Sequence, residues 1–265
     1  MADALIGHTG FVGRNLMEAR HWDAAFNRDN LSCLAGSEFH LLVCAGLPAQ
    51  KWLANQDPES DRANMLRLSR TLDSVRARHF VLISTIDVYP DPIDVDEFSP
   101  IGMAGHHAYG AHRREFELRT MAQFDQCHIL RLPAVFGPYL KKNVLFDLLN
   151  SNGLDSIQAQ SEFQWYPISR LAHDIERTID AGLPCVNLFT EPLQTQRIVS
   201  SFFPNIRIGA RASGPVRYSA TTRFGSIFGG DDRFIMSADA VIESMKEWLS
   251  VGITRPVSDQ ALARA

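Results

Sequence analysis

The sixteen residues MADALIGHTGFVGRNL at the start of the chain constrain its fold more than any other stretch. Ala4, Leu5 and Ile6 form a short apolar run of the kind that ends a buried strand. Gly7, Gly10 and Gly13 follow at three-residue spacing, and Phe11, Val12 and Leu16 begin a helical apolar pattern. Glycines permit a tight turn and close backbone approach. The helix start presents free N–H groups and a positive dipole, so strand, glycine turn and helix together form a cradle for a nucleotide phosphate. Such a spacing alone is weak evidence. Directly after an apolar strand it becomes a specific expectation, with Gly7, Thr9, Gly10, Phe11, Val12 and Gly13 as the cradle residues.

The remainder of the chain alternates between apolar strand-like runs and amphipathic segments. Ala24–Phe26, Phe39–Ala45, His79–Ser84, Cys127–Leu132 and Cys185–Phe189 read as strands. Helices are expected over 58–75, 109–124, 144–149, 171–181 and from Ser237 onward. Only about a dozen residues separate the second strand from the third, too few for a crossover helix and another strand. One strand of the usual unit is therefore expected to be missing. Residues 163–168 read as a short strand, and 90–107 as a loop over the strands' carboxyl ends. The pattern predicts an α/β protein: a Rossmann-type, doubly wound parallel sheet with a small, partly irregular C-terminal lobe. The expected division is 1–140 for nucleotide binding, 141–250 for the substrate lobe and 251–265 for a loose tail.

Composition narrows the partners. With 265 residues, 45% of them hydrophobic, the chain can bury a substantial core. A net charge of -4 gives no reason to expect nucleic acid or an anionic membrane. No apolar run approaches a membrane span, and Asp3, Gly7 and His8 interrupt the only N-terminal candidate for a signal peptide. Cys33, Cys44, Cys127 and Cys185 lack metal-ligand spacing and read as reduced thiols of a cytoplasmic protein, so no metal site is expected.

Several segments in order carry a family resemblance: GHTGFVG at Gly7–Gly13, CAG at Cys44–Gly46, DPESDRAN at Asp57–Asn64 and STIDVY at Ser84–Tyr89. YGAHR at Tyr109–Arg113 and LRLPAVFGP at Leu130–Pro138 continue the series. Together they resemble the extended short-chain dehydrogenase/reductases, the NAD(P)-dependent epimerases, dehydratases and reductases of nucleotide sugars. The resemblance covers roughly the first 140 residues closely and implies hydride-transfer chemistry. It assigns Thr85 to hydrogen-bond the substrate oxygen and Tyr109 to move a proton, and it places Asn64, Cys44, Ala45, Gly46 and Pro133 along the cofactor. A phenol is a poor base near neutrality, so a cation must support its ionised form. The family places a lysine four residues after the tyrosine. This chain has Arg113, which keeps the charge and could still meet the cofactor ribose but cannot relay a proton. The alternative is therefore a binding protein of the same fold with weakened catalysis.

The adenine end falls to Asn27 and Arg28, where a cation favours the 2′-phosphate of NADP, with NAD the alternative. Asp87 is a candidate acid–base group or a turn cap. The first position of the family's dehydratase acid pair is Ile86, which argues against dehydration. Lys51, Lys142, Asn143, Gln164, Tyr166, Arg197 and Arg223 are the candidates for holding a nucleotide sugar. The resemblance also implies pairing of two chains through the tyrosine helix, where Phe116 could serve either the interface or the core.

Overall fold

A computed structural model describes residues 1–102, 104–211 and 213–252. The expected tail lies largely outside the described residues. Ten strands form: β1 (Ala2–Ile6), β2 (Ala24–Phe26), β3 (Glu38–Cys44), β4 (Arg76–Thr85), β5 (Cys127–Leu132), β6 (Ala134–Phe136), β7 (Glu162–Phe163), β8 (Trp165–Pro167), β9 (Cys185–Asn187) and β10 (Leu193–Gln194). The helices are α1 (Phe11–Ala19), α2 (Lys51–Gln56), α3 (Pro58–Leu72), α4 (Ala108–Gln123), α5 (Val144–Asn150), α6 (Leu171–Asp180), α7 (Thr195–Phe202) and α8 (Ala238–Gly252).

Six strands make one parallel sheet in the order β2-β1-β3-β4-β5-β9. Alternate side chains of each strand point to opposite faces. Leu5, Val43, Val81 and Leu130 pack with Leu16 of α1 and with Leu171 and Ile175 of α6. Ala4, Leu42, Leu82 and Ile129 pack with Met65 and Leu68 of α3 and Phe116 of α4. Phe116 therefore belongs to the core rather than to a surface available for pairing. Both faces are covered, which is why these strands are apolar nearly throughout. Between β2 and β3 there is only a 3-10 turn at Leu31–Leu34, so β2 is left as the sheet edge. β9 returns from the second half of the chain to pair with β5.

The smaller lobe has its own core of Phe136, Leu145, Leu148, Trp165, Ile198, Val241 and Met245. The single strand expected at 163–168 is divided into β7 and β8, which join different two-stranded sheets. The break is at Gln164, whose buried amide donates to the carbonyls of Thr190 and Ala220 and accepts from the Ala220 N–H. The segment Lys51–Gln56, unassigned from sequence, is the short helix α2.

Across the sheet, His128 on β5 stacks on His79 of β4, which meets His40 of β3 edge-on. His128 Nδ1 lies 2.8 Å from the Leu183 carbonyl and so donates to it, leaving Nε2 to accept from His79 at 3.3 Å. Burial lowers the pKa of both His79 and His128 below the ordinary 6.5, and the neighbouring His128 charge adds to the effect at His79. The unfolded chain therefore takes up protons before the folded one does. The stability from keeping these rings neutral is complete above about pH 6.5 and is lost as the pH falls below it. Melting temperature is expected to drop between pH 7 and 5. His128→Phe should flatten that drop, and an equal slope in the variant rejects the assignment.

Candidate active site

At the end of β1, Gly7 adopts φ +89°, and a side chain there would come 2.5 Å from the Ala45 carbonyl oxygen. A Cβ at Gly13 would overlap the Gly7 carbonyl. The Gly10 N–H closes the turn onto that carbonyl at 3.0 Å, and Gly10 caps α1 with no side-chain bond. The first N–H groups of α1 are consequently not capped by the Gly10 side and face outward from the turn. His8, within the turn, keeps a buried Nδ1 with no partner. Gly46 sits on the facing strand end, where a Cβ would press on Ile6 Cγ2 at 2.9 Å. At Gly7 and Gly13 the neighbouring backbone leaves no room for a side chain. The Cys44 thiol is fully buried, pushed up to about 12 by that burial, and lies in the core. At the edge of β2, Asn27 Oδ1 accepts from the Asp29 N–H at 2.8 Å, and Arg28 is exposed beside it. Such a turn, with close-packed glycines at a positive helix end, fits a dinucleotide pyrophosphate.

A second set of residues gathers at the carboxyl end of β4. Thr85 closes the strand, and its Oγ1 accepts from the Asp87 N–H at 3.2 Å, forming a 3-10 turn over Ile86–Val88. α4 starts nearby, capped by His107, whose Nδ1 accepts from the Gly110 N–H at 3.0 Å. Gly110 is pressed against the Asp87 carbonyl so closely that no Cβ fits. That contact brings Tyr109 beside Thr85, near enough for the Thr85 side chain to act on the phenol. Tyr109 is 8% exposed. Burial raises its pKa above 10.0 and Asp87 adds to that, while Arg113, the Thr85 side chain and Lys51 pull it down.

Arg113 is oriented differently from what its spacing implies. The guanidinium lies on the face of the Tyr109 ring, 3.9 Å from its centre. Its donors go to both oxygens of Asp61 at 2.5 and 2.9 Å, to the Pro48 carbonyl at 2.5 Å and to the Tyr109 carbonyl at 3.2 Å. Only Nε lacks a partner. Asp61 also receives His112 at 2.8 Å. Burial pushes the Asp61 carboxyl up, but the hydrogen bonds from Arg113 and His112 and the Arg113 charge more than offset it and leave it below its ordinary value. Arg113 thus fastens α3, α4 and the residues after β3 into one unit around the tyrosine.

Lys51, at the start of α2, reaches across to Asp87 Oδ1 at 2.7 Å and to the Tyr218 hydroxyl at 3.3 Å. Tyr218 donates to the same Asp87 oxygen at 3.2 Å. Nothing in the sequence around Tyr218 singles it out. It is delivered by the 90–107 loop, whose Pro92 carbonyl accepts from the Ser219 N–H and whose Glu97 accepts from Thr222 and the Arg223 N–H. Asn55, which takes the Tyr109 N–H at 3.0 Å, carries no sequence signal either.

The remaining sequence candidates divide. Lys142 is close enough for Arg113 and Asp87 to act on its charge. Partial burial first, and then Arg113, pull its pKa below the ordinary lysine value. Asn143 caps α5 by accepting from Phe146 and holds φ +109°. Gln164 and Tyr166, expected at the substrate, are instead core residues: 1% and 0% exposed, with the Tyr166 hydroxyl given to Asp174 at 2.8 Å. Arg197 of α7 is spent on Asp239 of α8, and Arg223 on Asp96. Asn64 accepts from Arg67 along the surface of α3. Pro133 is buried between β5 and β6. Among the described residues no cluster of His, Cys, Asp or Glu could hold a metal, and no helix is long and apolar enough to cross a membrane.

No protein-family model matches the sequence, and no curated protein matches it. Solved structures do. A dTDP-4-dehydrorhamnose reductase of Clostridium acetobutylicum superposes with a TM-score of 0.72 at 14% identity, over 96% of this chain and 100% of that one. The chain shares its Rossmann-type fold. MoeE5, solved with UDP-glucuronic acid and NAD, gives 0.68 at 17% identity, over 94% of this chain and 99% of its own. A UDP-glucose 4-epimerase of Thermotoga maritima, solved with UDP-glucose, gives 0.68 at 11% identity, over 96% and 100%.

Proposed function

We propose that the protein is an NAD(P)-dependent oxidoreductase or epimerase of a nucleotide-activated sugar, with Tyr109 moving the proton. The observation that carries the reading is the placing of Tyr109 beside Thr85, by the close contact of Gly110 with the Asp87 carbonyl, at the strand ends of a sheet whose first turn is packed too tightly for side chains at Gly7 and Gly13. Likeness of fold to nucleotide-sugar enzymes supports it, but fold by itself does not decide chemistry.

The first turn of α1 and the backbone of Gly7–Gly13 would hold the pyrophosphate. Arg28, exposed at the β2 edge, favours the 2′-phosphate of NADP over NAD. A dinucleotide bound there supplies or accepts the hydride. Thr85 orients the substrate oxygen toward Tyr109, and Tyr109 gives that oxygen a proton or removes one. The positive charge on the face of the Tyr109 ring favours the ionised phenol. Lys142 and Arg113 repel one another, and an anion between them relieves that repulsion; a sugar-bearing diphosphate has the required charge.

Gly13→Ala tests the cradle. The added methyl overlaps the Gly7 carbonyl, so dinucleotide affinity is expected to fall about tenfold or more. Calorimetry measures it, and wild-type affinity in the variant rejects the placement. The activity itself is tested by following nicotinamide absorbance and sugar interconversion across UDP-, GDP- and dTDP-sugars.

The fully engaged Arg113 favours a second reading, a dinucleotide-binding sensor or scaffold without turnover. Tight dinucleotide binding with no turnover on any of those sugars, and no gain from Arg113→Lys, selects it.

A further inference from the structure

If Tyr109 is the proton-moving group, as the preceding reading holds, it needs a cation able to give up a proton. Arg113 cannot be that cation. A guanidinium does not deprotonate in a protein, and four of its contacts are committed to Asp61, Pro48 and the Tyr109 carbonyl. Lys51 meets the requirement from a different element. Its ammonium has three donors, of which Asp87 and Tyr218 take two. The side chain is 39% exposed, so water reaches it, and among the described residues no protein group takes its third donor. The partner it rests on, Asp87, also fixes Thr85 through its N–H, and its carbonyl packs against Gly110, the neighbour of Tyr109.

We propose that Lys51, clasped by Asp87 and Tyr218, is the titratable cation that serves Tyr109, doing from α2 what the family's lysine does from the tyrosine helix. The proton count is simple. One proton passes from the Tyr109 hydroxyl to a substrate oxygen. The Lys51 ammonium then returns one to the phenolate and is itself reprotonated by water on its exposed side. Tyr218 and Asp87 hold the amine in place while it is neutral. Other charges face the phenol too: Arg113 on the ring face and Asp87 below it, with His107 and Lys142 nearby. Lys51 is the member of this group that can exchange a proton while hydrogen-bonded on two sides.

Two substitutions separate this role from a structural one, because they act on Tyr109 with opposite sign. The readout is the ionisation of Tyr109 in the unliganded protein, followed by carbon NMR of labelled tyrosine and assigned by its loss in Tyr109→Phe. Lys51→Met removes the favourable charge and should raise the Tyr109 midpoint by about one unit or more. Asp87→Asn removes the unfavourable one and should lower it. A general loosening of the site would move both in one direction. Lys51→Arg should keep the midpoint near wild type yet cut turnover at least tenfold, since the charge returns without the exchangeable proton. An unchanged midpoint in Lys51→Met, a common direction in the two charge variants, or wild-type turnover in Lys51→Arg overturns the proposal. A wild-type protein that turns over no nucleotide sugar, with the two midpoints still moving apart, rejects the proposed function instead.

Discussion

Tyr109→Phe is expected to lower turnover by about two to four orders of magnitude, the usual range for losing a positioned acid–base group. The substitution removes one oxygen and leaves the ring, which Arg113 continues to cover at 3.9 Å. Thr85 still accepts from the Asp87 N–H, so the strand end keeps its shape. The effect should therefore fall on kcat, with KM and melting temperature close to wild type. That split matters, because a buried tyrosine that served only packing would show the reverse. Steady-state kinetics with the best substrate of the sugar panel measures it. Unchanged turnover removes Tyr109 from the mechanism.

The largest loss of stability is expected at Glu117. This carboxylate is 0% exposed on α4 and accepts from Arg131 of β5 at 2.8 and 3.0 Å, from Ser84 at 2.6 Å and from Arg114 at 2.8 Å. Arg131 in turn donates to the Tyr89 hydroxyl at 2.6 Å, which is linked to Asn187 of β9. The network fastens the tyrosine helix to three strands of the sheet. Glu117→Ala leaves the Arg131 guanidinium buried without its counter-charge, at a cost of about 3–5 kcal/mol. For a chain of this size that is a fall in melting temperature of roughly 10 °C. Replacing both partners, Glu117→Leu with Arg131→Met, should recover most of the loss, because the charge left behind, Arg114, is partly exposed to water whereas Arg131 is not. Thermal and urea unfolding of the two variants decide the matter. A single substitution costing under about 1 kcal/mol would show that the pair is not the clamp.

The sequence by itself determined the alternation of strands and helices, the parallel sheet and the glycine turn. Those rest on local signals. Strands apolar on both faces announce a sheet covered on both sides, and Gly7 and Gly13 stand where close backbone approach is required. β2, β5 and α5 begin where the chain order implied, and the short link after β2 leaves it at the edge. Thr85 and Tyr109 were legible too, through motifs whose spacing reflects one strand end and one helix start.

Only the tertiary structure decided what each polar side chain faces. Gln164 and Tyr166 look like binding residues in sequence, yet buried hydrogen bonds to Thr190, Ala220 and Asp174 make them part of the core. Arg113 has the family's spacing on α4, but Asp61, 52 residues earlier, takes its donors. Lys51, Asp87 and Tyr218 meet although Asp87 and Tyr218 lie 131 residues apart. Periodicity reports whether a position is inside or outside. It carries no information about which of two distant polar groups will share an oxygen, because that choice is made by loop paths and by the order in which strands enter the sheet.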